Sequence, residues 1–480
     1  MTHLTPHGRW RVLAVCCLSL LIVSLDVTAL NVALPSIQQD LDSSLSGLQW
    51  TVDGYTLALA SLLMLSGSLA DKVGRRRVFQ VGLTVFTTAS LLCSAAPGLG
   101  WLIAARVLQA IGGSMLNPVA LSIISNAFPD SRERARAIGV WSGVVGISMA
   151  AGPIIGGALV ESAGWRAIFW INVPISLAAL ALTRRYVPES RAERPRRADP
   201  VGQVLVVALL ATVTYAIIES PVRGWTSPLV AGCAGAALCA LLGLLRYETR
   251  RVDPLIDLRF FRSVPFAGAT VIAVAAFFSL GGFLFVSSLY LQDVRRLDAL
   301  HAGLFLLPMA LTALVAAPLS GRILAARGPR TPLVTAGAAL CASAALQAFT
   351  YSAHLAVAPL FCAYALFGIG FGMVTAPISH TAVSAMPRSQ SGVAAAVASA
   401  CRQFGQSLGV AVTGALMATG AHRGTAAFLQ ASRTAWWIIA GCGGAVLLLG
   451  TLTSGRWAQS TARLTAERLA AEETRTTVRT

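Results

Sequence analysis

Charge is scarce in this sequence, and acidic charge is scarcest. Only 12% of the 480 residues are charged, about half the share of an ordinary soluble domain. Lysine occurs once, at Lys72, so the basic residues are almost all arginine. No C-x-x-C pair occurs among the nine cysteines, all of which fall in apolar runs. That argues against a disulfide framework and against a zinc site of familiar spacing, so no metal is expected. The six histidines are scattered, and a lone His380 at a helix end reads as solvated rather than as a ligand. No G-x-S-x-G run and no His/Cys/acid cluster points to an enzyme. No phosphate-binding loop is present either, so ATP is not the expected energy source. A net charge of +17 suggests nucleic acid at first sight, but its distribution, described next, argues against that partner.

What the sequence has is apolar length. A helix needs about 20 residues to cross the hydrocarbon of a bilayer. Fourteen segments qualify: 12–34, 48–70, 78–96, 101–126, 138–160, 166–187, 201–219, 228–247, 264–288, 302–323, 331–350, 356–378, 392–418 and 435–454. The first run carries no small-residue cleavage pattern, so no removable signal peptide is expected. About 29 basic residues lie in the alternate loops and tails that begin with the N-terminus, about six lie on the opposite side, and Arg106 and Arg402 lie within spans. This bias places both termini in the cytoplasm. Trp50, Trp101, Trp165, Trp225 and the Trp436–Trp437 pair fall at expected membrane interfaces.

Two basic connections divide the chain. Residues 183–200 read as a cytoplasmic linker, and 246–262, with Pro254, Leu255, Ile256, Leu258 and Phe260, as a segment lying on the membrane surface. The expected domains are a six-helix bundle over 1–187, linkers and an inserted helix pair over 188–262, a second six-helix bundle over 263–454, and a tail over 455–480. The tail carries no readable motif. A repeat supports the division. Helix 2 runs into G-S-L-A-D-K-V-G-R-R-R (67–77) and helix 10 into G-R-I-L-A-A-R-G-P-R (321–330), with Ala325 where the first copy has Asp71. Repeated halves are characteristic of secondary transporters.

The fifth span is unusually rich in glycine, at positions 139, 143, 146, 152, 156 and 157, with Pro153 among them. Each glycine costs about 1 kcal/mol against alanine in a soluble helix. In a bilayer the backbone must bond internally, so the run stays helical. Its small faces then allow close helix approach, and the proline invites a kink.

Only two carboxylates lie clearly within spans, Asp26 and Asp53; none lies inside helices 9–14. Such a group costs about 2.5–3.5 kcal/mol to insert and faces a cavity or a partner. By helical rise, Asp26 lies about 12 Å, and Asp53 about 7–8 Å, from the outer ends of their helices, with Arg106 at a similar level. A buried arginine needs a counter-charge, so Arg106 is expected to pair with, or modulate, one of these acids. Asp53 also admits a reading as a solvated boundary residue. Asn31, Tyr55, Gln109 and Gln403 are polar at depth and are candidates to line a substrate cavity. Phe277, Phe278, Phe361, Phe367 and Phe371 read as packing or as cavity wall. Glu219, at the outer end of helix 7, reads as a solvated helix end or as a residue at a substrate entry, and Arg402 as a boundary residue that snorkels.

The motifs resemble those of the major facilitator superfamily, in its fourteen-helix drug:proton antiporter branch of multidrug resistance exporters. Gly143, Gly152, Pro153, Gly156 and Gly157 match its antiporter signature, G-x(8)-G-P-x-x-G-G. L-D-V-T-A-L-N-V-A-L-P (25–35), W-T-V-D-G-Y-T-L (50–57), R-V-L-Q-A-I-G-G-S (106–114) and W-R-A-I-F-W-I-N-V-P (165–174) are similar to its helices 1, 2, 4 and 6. L-Y-L-Q (289–292), A-G-L-F-L-L-P (302–308) and R-Q-F-G-Q-S-L-G (402–409) extend the likeness more loosely. Ala29 stands where the family usually has Ile or Val.

The resemblance implies an all-α integral membrane protein of fourteen transmembrane helices, with two six-helix bundles of inverted 3+3 repeats plus an inserted pair. It implies proton coupling through Asp26, Asp53 and Arg106, and a conformational gate at Gly67, Asp71, Gly74, Arg75 and Arg76. The expected function is proton-driven efflux of hydrophobic drugs or antibiotics, neutral or cationic, across the cytoplasmic membrane by alternating access. The expected protein is a monomer with no cofactor beyond the proton gradient, and its partners are a small substrate, protons and lipid. Export of an endogenous natural product or lipid, or proton symport, is the alternative on the same fold.

Overall fold

The computed structural model describes residues 6–191, 199–251, 255, 257–352, 356–384, 386, 390–421 and 424–479. Residues 192–198 of the expected linker, and Pro254 and Ile256 of the expected surface segment, lie outside the described residues. The chain is an all-α, multi-pass membrane protein. Its helices are α1 (His7–Asp40), α2 (Leu45–Val73), α3 (Arg75–Ser94), α4 (Leu99–Ala127), α5 (Arg132–Ala163), α6 (Ala167–Tyr186), α7 (Pro200–Arg223) and α8 (Pro228–Glu248). There follow α9 (Val264–Val294), α10 (Ala299–Arg327), α11 (Arg330–Thr350), α12 (Val357–Ser384), α13 (Ser391–Ala421), α14 (Thr425–Leu452) and α15 (Arg456–Arg479).

Among the described residues, thirteen of these are long and apolar enough to cross a membrane. The fourteenth expected span, 392–418, is the helix α13, but Arg402, Gln403 and Gln406 dilute its apolar run and it does not meet that measure. The expected count of fourteen is therefore not reached by length and composition alone. Helix α9 runs past the expected end at 288 through a π-helical turn, Tyr290–Val294, and so takes in Asp293, which is half-buried.

The helix ends follow from local chemistry. Ser44 accepts from the Gly47 amide (3.2 Å) at the start of α2, and Asp130 accepts from the amides of Arg132 and Glu133 (2.9 Å each) at the start of α5. The two copies of the repeat end alike: α2 stops at Gly74 (φ +126°) and α10 at Gly328 (φ +76°), backbone angles that favour glycine.

The chain packs as two compact units, Met1–Gln203 with Leu284–Leu307, and Val204–Phe283 with Pro308–Thr480. In the first, α1 packs on α5 and α6, and α4 packs on α2 and α3. Its core includes Val12, Phe79, Phe86, Ile124 and Phe128. In the second, α11 packs between α12 and α14. A Cβ added at Gly443 would lie 2.9 Å from Cys341 Cα, so only glycine allows this approach. An aromatic nest fills the second core. Phe283 stacks on Phe367 with centroids 4.0 Å apart and meets Tyr364 and Trp436 edge-on. Trp436, expected at a membrane interface, is thus fully buried, whereas Trp437 is exposed. Packing against aromatic neighbours outweighs the interfacial preference of its ring. The tail is the helix α15, and Thr461 Oγ1 accepts from the amide of Val264 (3.1 Å), which ties it to the start of α9.

Candidate functional site

Five helices of the first unit bring polar side chains to one buried point. Asp26 on α1 forms an ion pair with Arg106 on α4; the two side chains are 0% and 1% exposed. Gln109 lies three residues beyond Arg106, on the same face of α4. Its Nε2 donates to Asp26 Oδ1 (2.9 Å) and to Ser90 Oγ on α3 (2.9 Å), while its Oε1 accepts from Arg106 Nη1 (2.6 Å). Asn172 Nδ2 on α6 donates to Asp26 Oδ1 (2.8 Å), and Arg106 Nε donates to the carbonyl of Thr51 on α2 (3.3 Å). The guanidinium lies over the Tyr55 ring, 4.2 Å from its centroid, and faces Phe169 at 5.8 Å.

Taking both ions out of water costs several kcal/mol each, which only good geometry and further hydrogen bonds offset. Here the carboxylate accepts from three side chains and the guanidinium donates to three acceptors. Proline shapes one contributor. Pro174 supplies no backbone donor, and α6 breaks at Ile171, between Ala167–Trp170 and Asn172–Tyr186. Asn172 is the first residue after that break.

Asp53 is fully buried, which rules out the solvated boundary reading. Thr56 Oγ1 donates to its Oδ1 (3.3 Å). Two residues from both Thr51 and Tyr55, it projects from the opposite side of α2 to the face that meets Arg106. Tyr55 and Gln109, expected along a substrate cavity, are engaged with Arg106 and closed to solvent. Asn31 is buried too; its Nδ2 donates back to the Val27 carbonyl (2.8 Å), and its own carbonyl accepts from Ser288 Oγ (2.5 Å). Gln403 is half-buried on α13, in the second unit. Glu219, expected to be solvated, pairs with Arg223 one turn on (3.0 Å).

The glycine motif of α5 divides into two parts. A Cβ at Gly152 would collide with Thr28, and one at Gly156 would lie 2.9 Å from Ala29 Cα, both on α1. One at Gly157 would lie 2.7 Å from Leu300 Cα at the start of α10. Pro153 sits in the same contact, its carbonyl carbon 2.8 Å from where a Cβ of Gly303 would lie. Thr28 Oγ1 also donates to the Ser148 carbonyl (3.2 Å). By contrast Gly139 and Gly143, expected on a packing face, are exposed, and a Cβ at either would meet nothing within 4 Å among the described residues. Of these five glycines, the three beyond Ser148 are the ones that make close contacts among the described residues.

At the α2–α3 turn, Asp71 Oδ1 accepts from Arg75 Nε (3.2 Å) and Nη2 (2.9 Å). Glu189, from the chain after α6, closes the turn. Its Oε1 accepts from the Arg76 amide (3.1 Å), its Oε2 lies 3.7 Å from Arg77 Nε, and the Ser190 carbonyl accepts from the Arg75 amide (2.9 Å). Arg76 Nη2 donates to the Arg184 carbonyl (2.8 Å). Helix α3 has no acid in its own first turn, so Glu189 supplies the negative charge that a helix N-terminus favours. A Cβ at Gly74 would lie 2.6 Å from Glu189 Oε1. A Cβ at Gly67 would meet nothing within 4 Å among the described residues. Glu189→Ala is expected to lower stability by about 1 kcal/mol, the usual worth of a helix cap. Thermal unfolding of the purified protein measures this; an unchanged midpoint would deny the capping role.

Residues 16–410 match the Major Facilitator Superfamily. The chain belongs to that superfamily. Its similar superfamily relatives include the multidrug resistance protein Stp of Mycobacterium tuberculosis, 37% identical over 84% of this chain and 74% of that one. The tetracenomycin C resistance and export protein of Streptomyces glaucescens is 38% identical over 86% of this chain and 77% of its own. The methylenomycin A resistance protein of Streptomyces coelicolor is 38% identical over 82% of each. Among solved structures, a bacterial homolog to the human lysosomal transporter Spinster, inward-facing and occupied, superposes with a TM-score of 0.66 at 17% identity, over 94% of this chain and 97% of that one. That likeness speaks for the superfamily fold alone.

Within this superfamily fold, Asn172, Ser90 and Glu189 are contributors that the sequence does not single out. Asn172 lies inside the quoted helix 6 motif, and a polar residue followed by Val-Pro in an apolar run is its available signal. Ser90 and Glu189 carry none, because their partners are distant in sequence.

Proposed function

We propose that this chain is a proton-coupled exporter of hydrophobic drugs or antibiotics, neutral or cationic, acting by alternating access in the cytoplasmic membrane. It is a transporter rather than an enzyme, with both termini in the cytoplasm, and it works as a monomer on the proton gradient. The observation that carries the reading is the sealed Asp26–Arg106 pair, with Gln109, Asn172 and Ser90 around it. Protonation of Asp26 removes the counter-charge of Arg106 and two of the reasons for the cluster to stay closed, namely the ion pair and the charge-assisted bonds. The helices that meet there are then free to rearrange, and return of the proton to the opposite side restores the pair. The driving force is about 2.3 kcal/mol per charge per 100 mV, plus the pH gradient.

In this scheme helices 1–6 and 9–14 are two bundles, with α7 and α8 as an inserted pair. Gly152, Pro153, Gly156 and Gly157 hold α5 against α1 and α10, with Gly143 in the same signature. Gly67, Asp71, Gly74, Arg75 and Arg76 form a cytoplasmic gate. Asp53, buried on the far side of α2 from Arg106, recognises cationic substrates. The names of the relatives support drug or antibiotic export.

Efflux of a fluorescent lipophilic cation from energised cells tests this. The wild type should export it, and an uncoupler should stop export. Asp53→Asn should lose cation efflux and keep efflux of a neutral drug. Export that persists under the uncoupler denies proton coupling; equal loss of both substrates in Asp53→Asn denies its role in charge recognition.

A further inference from the structure

The two arginines inside spans are treated in opposite ways. Arg106 has a carboxylate partner; among the described residues, Arg402 has none. Arg402 lies eleven residues into α13, which starts at Ser391, so by helical rise it is about 16 Å from that end. The side chain is half-buried, and its guanidinium donates through Nη1 to Ser379 Oγ on α12 (3.0 Å) and through Nη2 to Ser399 Oγ (2.6 Å). It lies over the Phe277 ring of α9, 6.0 Å from the centroid, and Phe277 meets Phe371 edge-on at 5.2 Å. Two hydroxyls and a ring satisfy part of the guanidinium and neutralise none of its charge. No carboxylate of α10 to α14 can do so, because residues 299–466 contain no Asp or Glu. All of these groups lie in the second unit.

A guanidinium has five donors in a planar fork suited to a carboxylate, and it stays charged. An ionisable side chain held inside a membrane domain points to a functional partner. We infer that Arg402 binds the ionised acid of a lipophilic aromatic substrate, a carboxylate or phenolate, with Phe277 and Phe371 as the apolar wall and Ser379 and Ser399 fixing the fork. This rests on the exporter reading and extends it, adding organic anions to the neutral and cationic compounds.

The test is equilibrium binding to the purified full-length protein in lipid nanodiscs, with anthracene-9-carboxylate and its uncharged amide as probes. The wild type should bind the carboxylate at least about tenfold more tightly than the amide, the worth of one good charge-assisted pair. Arg402→Gln should bring the ratio to about one with the amide affinity unchanged, and Arg402→Lys should keep part of the preference. A wild type without preference for the carboxylate, or an Arg402→Gln protein that keeps it, overturns the assignment. Should Arg402→Gln fail to fold, an Arg402→Lys ratio equal to that of the wild type also overturns it, since a point charge would then serve as well as the fork. No gradient is applied, so failure of proton coupling in cells leaves this result untouched, and the two failures are separable.

Discussion

Asp26→Asn is expected to abolish uncoupler-sensitive efflux and to lower stability at the same time. The substitution keeps the shape of the side chain but leaves Arg106, 1% exposed, without a counter-charge. Breaking a buried pair from one side costs about 3–5 kcal/mol, because the remaining ion stays buried and uncompensated. A loss of transport in that variant alone would therefore have two explanations. The double variant Asp26→Asn/Arg106→Gln separates them. Removing both charges should recover much of the unfolding midpoint, since it is the orphaned ion that destabilises. Proton-coupled efflux should remain absent, since no titrating group is left in the cluster. Recovery of uncoupler-sensitive efflux in the double variant would show that Asp26 serves only to hold the fold together.

Gly157→Val is expected to be damaging too, by a different route. Its side chain would be driven into the backbone at Ala299–Leu300, 2.7 Å from Leu300 Cα. Backbone cannot rotate away as a flexible side chain can, so α5 and the start of α10 must separate. Overpacking of this kind costs about 1–3 kcal/mol, and here it also severs the contact through Pro153 and Gly303. We expect loss of drug resistance in cells with a lowered unfolding midpoint. Gly143→Ala, in open space on the same helix, should retain both. Equal tolerance of the two substitutions would show that the contact at Gly157 is dispensable.

These two sites also mark how far the sequence can be read. The spans are legible because apolar length is a local property, and α13 is ambiguous because three polar residues interrupt it. Asp26 and Arg106 can be matched by depth, since charges inside a membrane are few and need partners. Depth does not fix the face of a helix, however. Asp53 sits at a similar level yet points away from Arg106, and nothing short of the packing of α2 on α4 reveals that. The same limit applies to glycine: spacing puts positions 139, 143, 152 and 156 on small faces, but only neighbours decide which faces are used, and α1 and α10 meet only the later ones. Trp436 departs from its expected interface for a related reason, because its aromatic neighbours Phe283 and Tyr351 come from α9 and the end of α11 rather than from its own helix. Glu189 is invisible in the sequence because its partners at 75–77 lie more than a hundred residues away. Arg402 can be placed within a span from the sequence, but its partners Ser379 and Phe277 come from α12 and α9 and are not legible there.

The central claim is that Asp26 carries the proton exchanged for drug. It is tested most directly with the purified protein in sealed liposomes containing a pH-sensitive dye. A lipophilic cation is added on one side with no pre-formed gradient. The account predicts that drug movement through the wild type drives protons the other way, and that Asp26→Asn/Arg106→Gln, folded but without the pair, moves none. Proton movement of wild-type size in that double variant would contradict it.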